Sequence, residues 1–405
     1  MRNSVTFGIV FLPKSSKARN GKAPLYARIT LNGERVEISL QRRISLNLWD
    51  ERKSRLKGSS IESQQVNKSL DRIYNKLYEC FRQLNDSNLL LSAQAVKARY
   101  LGKDDSFKKL SELLNYHTEH MKDVLKNGTM KNYYTTERYL YKFLKKQFKA
   151  DDIFLKQINY QFITGFEHFL RNYKPKRDRK APTNNGIMKH LERLKKLLNL
   201  AQKLEWVEKD PFSKFSLKFK KAERAFLSEE ELENLEQYQF DRITHQQTRD
   251  VFVFSCYTGL SWIDAKNLKP ENIVIGIDGR KWIFTAREKT EQSVKIPILP
   301  KAMEIIDKYK DQCECSGFIL PVYSNQKTNQ YLKELATELK IKKKLTFHVA
   351  RHTFATTVTL SKGIPIESVS KLLGHSKLST TQIYARVLEK KISDDFNKFF
   401  NEKTT

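Results

Sequence analysis

The residues best able to do chemistry in this chain crowd one stretch near its C-terminus: His348-x-x-Arg351, Leu372-Leu373-Gly374-His375, and Tyr384 nine residues later. A tyrosine hydroxyl can act as a covalent nucleophile. Arginine and histidine can grip a phosphate and the negative charge that builds on it. The set therefore reads as phosphoryl transfer through a phosphotyrosine, with no metal or other cofactor required.

Local structure must bring these residues together. His348 and Arg351 are three apart, so on one helix both face the same phosphate. Gly374 permits a turn that directs His375 inward. Upstream, Val251–Cys256 leads into Tyr257-Thr258-Gly259-Leu260, a helix running into a tight turn. Two β-like segments, Trp282–Ala286 and Val294–Ile298, flank a hairpin loop, Arg287–Gln292, that carries Lys289. Ser228 and Glu231 form a capping box, with Leu227 and Leu232 as its hydrophobic staple, which marks a sharp helix start. From residue 228 the order is helices, a hairpin, then helices: an α+β domain.

The bulk numbers say what surrounds that domain. A chain of 405 residues exceeds one hydrophobic core and predicts two or three domains. Its net charge of +29 points to a polyanionic partner. Residues 1–227 hold 48 Lys+Arg against 23 Asp+Glu, whereas residues 228–405 hold 27 against 23. The front half reads as the grip and the back half as the tool. Four cysteines without a CxxC pair fit a reducing, cytoplasmic setting. No apolar run approaches the ~18 residues of a membrane span.

Residues 1–57 read as β. Val5–Leu12 is one strand, and Leu25–Leu31 and Arg35–Leu40 flank the hairpin signal Asn32-Gly33. Lys14, Lys17, Arg19, Lys22, Arg28, Arg35, Arg42 and Arg43 decorate this small sheet. Residues 61–101 read as helical, with Leu70, Ile73, Leu77 and Phe81 on one face. Residues 107–204 read as all-helical, with Lys142, Lys145, Lys146, Lys149, Lys189, Arg193, Lys195 and Lys196 opposite the apolar faces. Residues 213–227 read as a basic linker. Beyond Tyr384, Leu388, Ile392, Phe396 and Phe400 recur every four residues, the pattern of an amphipathic tail helix.

Thr258-Gly259-Leu260 with Asp264, Lys289-Thr290, His348 to Ala355, Leu372 to His375 and Thr380 to Tyr384 stand in an order and spacing that resembles the tyrosine recombinase (phage integrase) family. The likeness is strongest over about 228–390. It implies three parts: an arm-site-like, β-rich DNA-binding domain with a helix (1–105), an all-α core-site domain (106–212), and, past the linker, an α+β catalytic domain with its tail (228–405). The N-terminal part resembles integrases of Bacteroidetes mobile and conjugative elements. The resemblance implies site-specific cutting and rejoining of double-stranded DNA through a 3′-phosphotyrosyl link, by a synaptic tetramer aided by DNA-bending accessory proteins. A chromosomal invertase, or a DNA-binding protein with impaired catalysis, are the alternatives. By the same resemblance Tyr384 is the nucleophile, Arg351 and His348 bind the phosphate, His375 donates to the same phosphate or helps orient Tyr384, and Lys289 is the general acid. One position departs: the family usually carries arginine directly after Thr-Gly-Leu, and this chain has Ser261. Arg249 or Arg287 is expected to supply the missing charge, with Arg249 favoured because its segment leads into the turn. His352 is read as structural.

Overall fold

The computed structural model describes residues 6–86, 89–103, 107–175, 180–221 and 224–385. The chain forms two compact units, residues 1–221 and 222–405.

In the first unit, β1 (Phe7–Pro13), β2 (Lys22–Leu31) and β3 (Glu34–Ser45) make an antiparallel sheet in that order. Leu31 pairs with Glu34, leaving Asn32 and Gly33 as a two-residue turn, both at positive φ. Such a turn matches the twist of the flanking strands. Along β2, Ala23, Leu25, Ala27, Ile29 and Leu31 are buried in strict alternation. Leu25, Ala27, Ile29 and Leu31 share a core with Leu70 and Leu77 of α1 (Ile61–Asp86) and with α2 (Ala93–Tyr100). A short ladder, β4 (Trp49–Asp50) with β5 (Arg55–Leu56), links sheet to helix. Part of the sheet's basic set is already paired: Lys14 and Arg28 both bind Glu37, at 2.5 and 2.9 Å, and hold its carboxyl below the usual range.

Four helices follow: α3 (Leu110–Met121), α4 (Asn127–Phe143), α5 (Tyr160–Arg171) and α6 (Asn184–Lys203). Leu110, Leu113, Leu140, Phe143, Phe166, Leu191 and Leu194 lie at the centre of their common core. On the outside, Arg138, Lys142, Lys146, Lys174 and Lys180 line a cleft with Tyr139, Phe169 and Tyr173. Lys142 donates to the Tyr173 hydroxyl at 2.8 Å, and Lys146 lies over the Phe169 ring.

The second unit takes in residues 222–227, which read from sequence as the end of the linker. Its first helix is α7 (Glu229–Gln237), capped by Ser228 and Glu231. Next come α8 (Ile243–Thr258), closed by Gly259 at positive φ, and the short α9 (Trp262–Lys266). The expected hairpin is β7 (Lys281–Ala286) with β8 (Ser293–Pro297); a third strand, β6 (Ile273–Ile275), pairs with β7. The sequence reading missed β6, since three residues are too few to show a period. After α10 (Pro300–Cys313) and α11 (Asn325–Glu338), α12 (Phe347–Thr353) carries His348, Arg351 and His352. Its last turns widen over Phe354–Thr359. The unit closes with α13 (Ile366–Leu372) and the single turn α14 (Gln382–Ala385), which bears Tyr384. The proposed tail helix lies outside the described residues. Among the described residues no helix is long and apolar enough to cross a membrane.

Candidate active site

The site is built around the carboxyl end of α8. A helix ends with carbonyls that lack intrahelical partners. Here the Gly259 carbonyl accepts from two arginines: Arg351 Nη1 at 2.9 Å and Arg287 Nη2 at 3.2 Å. Arg351 also donates through Nη2 to the Leu373 carbonyl. One backbone oxygen therefore holds two guanidinium groups side by side.

Arg287 arrives from the hairpin. Ile283, Thr285 and Arg287 alternate along one face of β7 and its extension, and Ile283 and Arg287 are buried. The Arg287 backbone amide donates to the Gln292 carbonyl at 2.9 Å, fixing the loop. Its side chain forms a buried ion pair with Asp264 at 2.9 Å. Burial lowers its pKa, while Asp264 and then Tyr384 oppose that shift. Nε of Arg287 is buried and has no hydrogen-bond partner among the described residues. Gly374 stands against this side chain. A Cβ there would lie 2.6 Å from Val294 Cγ1 and 3.1 Å from Arg287 Cγ, and its φ of +58° already disfavours other residues.

Ser261, at the usual arginine position, bonds within its own turn. Its hydroxyl donates to Asp264 Oδ2 at 2.7 Å and caps α9, so its proton is committed within the protein. Asp264 in turn accepts from Arg287 and from the Glu288 amide. Ser261 thus supports the carboxylate that holds Arg287. It also borders a cleft of about 450 Å³ with His348, Arg351, Asn325 and Asn329.

Arg249, favoured from sequence as the surrogate, is not brought to this place. It is buried in the middle of α8. Nε binds Asp250 at 2.5 Å, and Nη1 reaches the carbonyls of Leu235, Glu236 and Tyr238 at the end of α7. Ten residues of helix separate it from Gly259, roughly 15 Å at 1.5 Å per residue. Proximity in sequence misled because a helix carries its residues away along a straight axis.

The remaining residues form a connected group. His348 and His352 lie four apart on α12 with ring centroids 4.4 Å apart. His352 Nδ1 is 2.9 Å from the Tyr384 hydroxyl. His375 Nδ1 is 2.7 Å from Thr381 Oγ1, and its ring lies nearly parallel to that of Tyr384 at 6.5 Å. Lys289 stands exposed on the hairpin loop, and its charge acts on His348. Desolvation, then the charges of Arg224, Lys289 and Arg287, lower His348. Desolvation and positive neighbours push His375 down to about 4 and His352 down to about 3. Burial raises the Tyr384 phenol, opposed by Arg224 and Arg287.

Two contributors escaped the sequence reading. His352 could have been found from its i+4 spacing to His348. Arg224 left no local signal. Its nearness depends on Leu227, whose amide and carbonyl are bonded by Thr353 and Thr357 just beyond His352. Among the described residues no group of three or more His, Cys, Asp or Glu side chains is arranged to hold a metal ion.

Two buried arginines on one helix-end carbonyl, beside a tyrosine and three histidines, form a set able to grip an anion next to a phenol hydroxyl. Comparison with known proteins gives it a family. An arm DNA-binding domain model matches residues 10–97, a phage integrase SAM-like domain model 109–220, and the phage integrase family model 225–391. Tyrosine recombinase XerC of Bacillus pumilus is 28% identical over 263 residues, covering 59% of this chain and 84% of that protein. XerD of Listeria monocytogenes is 44% identical over 68 residues, covering 17% of this chain and 23% of that protein. Among solved structures, a lambda integrase dimer bound to a COC' core site is similar with a TM-score of 0.56 and 15% identity, covering 92% of this chain and 93% of that one. The Tn1549 transposon integrase bound to a circular intermediate DNA is similar with a TM-score of 0.53 and 16% identity, covering 71% of this chain and 98% of that one. The chain belongs to the phage integrase family and is a tyrosine-type site-specific recombinase.

Proposed function

We propose that this recombinase is the integrase of a mobile element of the Bacteroidetes type, and that Arg287 replaces the clamp arginine absent at Ser261. The carrying observation is the Gly259 carbonyl shared by Arg287 and Arg351. Two guanidinium forks side by side suit the non-bridging oxygens of one phosphodiester. Tyr384 attacks the phosphorus, a Tyr384–phosphate bond forms, and the bond to the 5′-oxygen breaks. Lys289 gives that oxygen its proton, while His348 and His375 add donors to the phosphate. Rejoining reverses these steps, so the phosphotyrosine link keeps the bond energy and water is not needed.

The integrase reading draws on the match to an arm DNA-binding domain, since a separate arm-site grip suits long attachment sites. Residues 1–105 and 106–212 would hold arm and core DNA, and residues 213–227 would join them to the catalytic part. The cleft of lysines and aromatic rings on α4 and α5 suits a DNA backbone. A lambda integrase tetramer bound to a Holliday junction has a TM-score of 0.53 and 15% identity to this chain, covering 91% of it and 95% of that one. By analogy the working form is a tetramer on DNA in the cytoplasm, with DNA-bending accessory proteins.

The test is covalent trapping on a nicked suicide substrate carrying the element's own attachment site. Wild-type protein is expected to leave a protein–DNA adduct that excess EDTA does not suppress, and Tyr384→Phe to bind the DNA without forming it. An adduct from Tyr384→Phe at wild-type levels would overturn the assignment. Inverted repeats flanking the gene, in place of an attachment-site repeat, would identify an invertase.

A further inference from the structure

His352 is the imidazole that hydrogen-bonds the nucleophile. Its Nδ1 lies 2.9 Å from Tyr384 Oη, whereas Nδ1 of His375 is engaged by Thr381 Oγ1. We propose that His352 is the proton acceptor for Tyr384 during strand cleavage and the proton donor to it during rejoining. The proposal rests on the phosphotyrosine reading above.

The geometry places both partners firmly. His352 is buried on α12, one residue after Arg351. Tyr384 is buried as well and packs with Phe354, Val369 and Leu373. A buried phenol above its ordinary pKa of 10.0 yields almost no phenolate near neutrality, so attack needs a base in contact with the hydroxyl. With Nε2 protonated, His352 offers the Nδ1 lone pair to the Tyr384 O–H. Its proton affinity is held down by desolvation and by His348, Arg224 and His375. A phosphodiester anion entering beside these groups offsets their positive charge and raises that affinity when the proton must move. The steps balance. In cleavage the Tyr384 oxygen bonds to phosphorus, its proton passes to Nδ1, and the 5′-oxygen leaves with the proton of the general acid. In rejoining the 5′-hydroxyl attacks, the Tyr384–phosphorus bond breaks, and the phenolate recovers its proton from His352.

His352→Asn is the discriminating variant, because an asparagine oxygen near the Nδ1 position accepts the same hydrogen bond without taking the proton. Single-turnover cleavage of the nicked substrate should fall about a hundredfold, the lower range of general-base effects, with DNA binding unchanged. The remaining rate should climb about tenfold per pH unit above neutrality, as phenolate formation by hydroxide takes over, while the wild-type rate stays nearly flat. A 5′-bridging phosphorothiolate, whose sulfur leaves without a proton, should restore Lys289→Ala and leave His352→Asn slow. His352→Asn at the wild-type rate, or slow with the wild-type pH profile, would overturn the proposal. If His352→Asn does not fold, His352→Gln answers the same question by the same readings. Absence of any adduct from wild-type protein would instead count against the phosphotyrosine reading itself.

Discussion

Arg249 and Arg287 are both buried, both paired with an aspartate, and both lie in the second unit, yet their surroundings set them to different tasks. Arg249 donates to one carboxylate and three carbonyls, and it ties the end of α7 to α8. Arg287 donates to Asp264 and to the Gly259 carbonyl, which Arg351 shares, and its Nε has no partner among the described residues. A buried donor without a partner costs free energy. Arg287 thus keeps one donor unspent and lies beside a second arginine and Tyr384, whereas Arg249 spends Nε and Nη1 on fastening α7 to α8. Charge and burial alone do not separate the two; the destination of each N–H does.

The comparison can be strained from several sides. The largest effect on chemistry is expected at the other half of the proposed clamp: Arg351→Ala should slow cleavage about a thousandfold, in the upper range for loss of a charge-stabilising donor, as read by single-turnover adduct formation. Next, Arg249→Met should act on stability. Removing one partner of a buried ion pair costs about 3 kcal/mol, less whatever Lys308 and Tyr309 recover by holding Asp250. Urea unfolding of the variant measures this, and its folded fraction should cleave at the wild-type rate. Ser261→Ala should cost about 1 kcal/mol, the usual loss of an N-cap, and slow cleavage less than tenfold, because Asp264 keeps its bond to Arg287. A hundredfold loss there would return Ser261 to the phosphate.

The smallest effect concerns pH. His375 and His352 have folded pKa values of about 4 and about 3, below their ordinary 6.5. Below 6.5 the unfolded chain therefore binds protons that the folded chain refuses. The stability these neutral rings contribute is fully present above pH 6.5 and is lost as pH falls towards 4 and 3. Unfolding midpoints of wild-type protein and of His375→Gln should accordingly converge as the pH is lowered from 7 to 4.

Much of this was legible in the sequence, for reasons that are local. The Asn32-Gly33 turn, the Ser228–Glu231 cap and the helix-spaced apolar faces depend on neighbours a few residues away, and they stand in the structure as read. His348 and Arg351 share α12 because their spacing demands it. What the sequence does not decide is which of two residues tertiary packing brings near. Arg249 is closer in sequence to Ser261, but Arg287 returns to it across a hairpin, and only its place in the Ile283, Thr285, Arg287 alternation hinted that it turns inward. Ser261 carried no sign that Asp264, three residues on, would claim its hydroxyl, beyond the capping-box spacing itself.

The central claim is that Arg287 completes the phosphate clamp and Arg249 does not. It is tested most directly by measuring adduct formation for Arg287→Ala and Arg249→Met on one nicked substrate, at protein concentrations where both are folded and DNA-bound. Arg287→Ala should lose about a hundredfold or more in rate, and Arg249→Met should match wild type. Equal rates for Arg287→Ala and wild type, or a larger loss for Arg249→Met, would contradict the account.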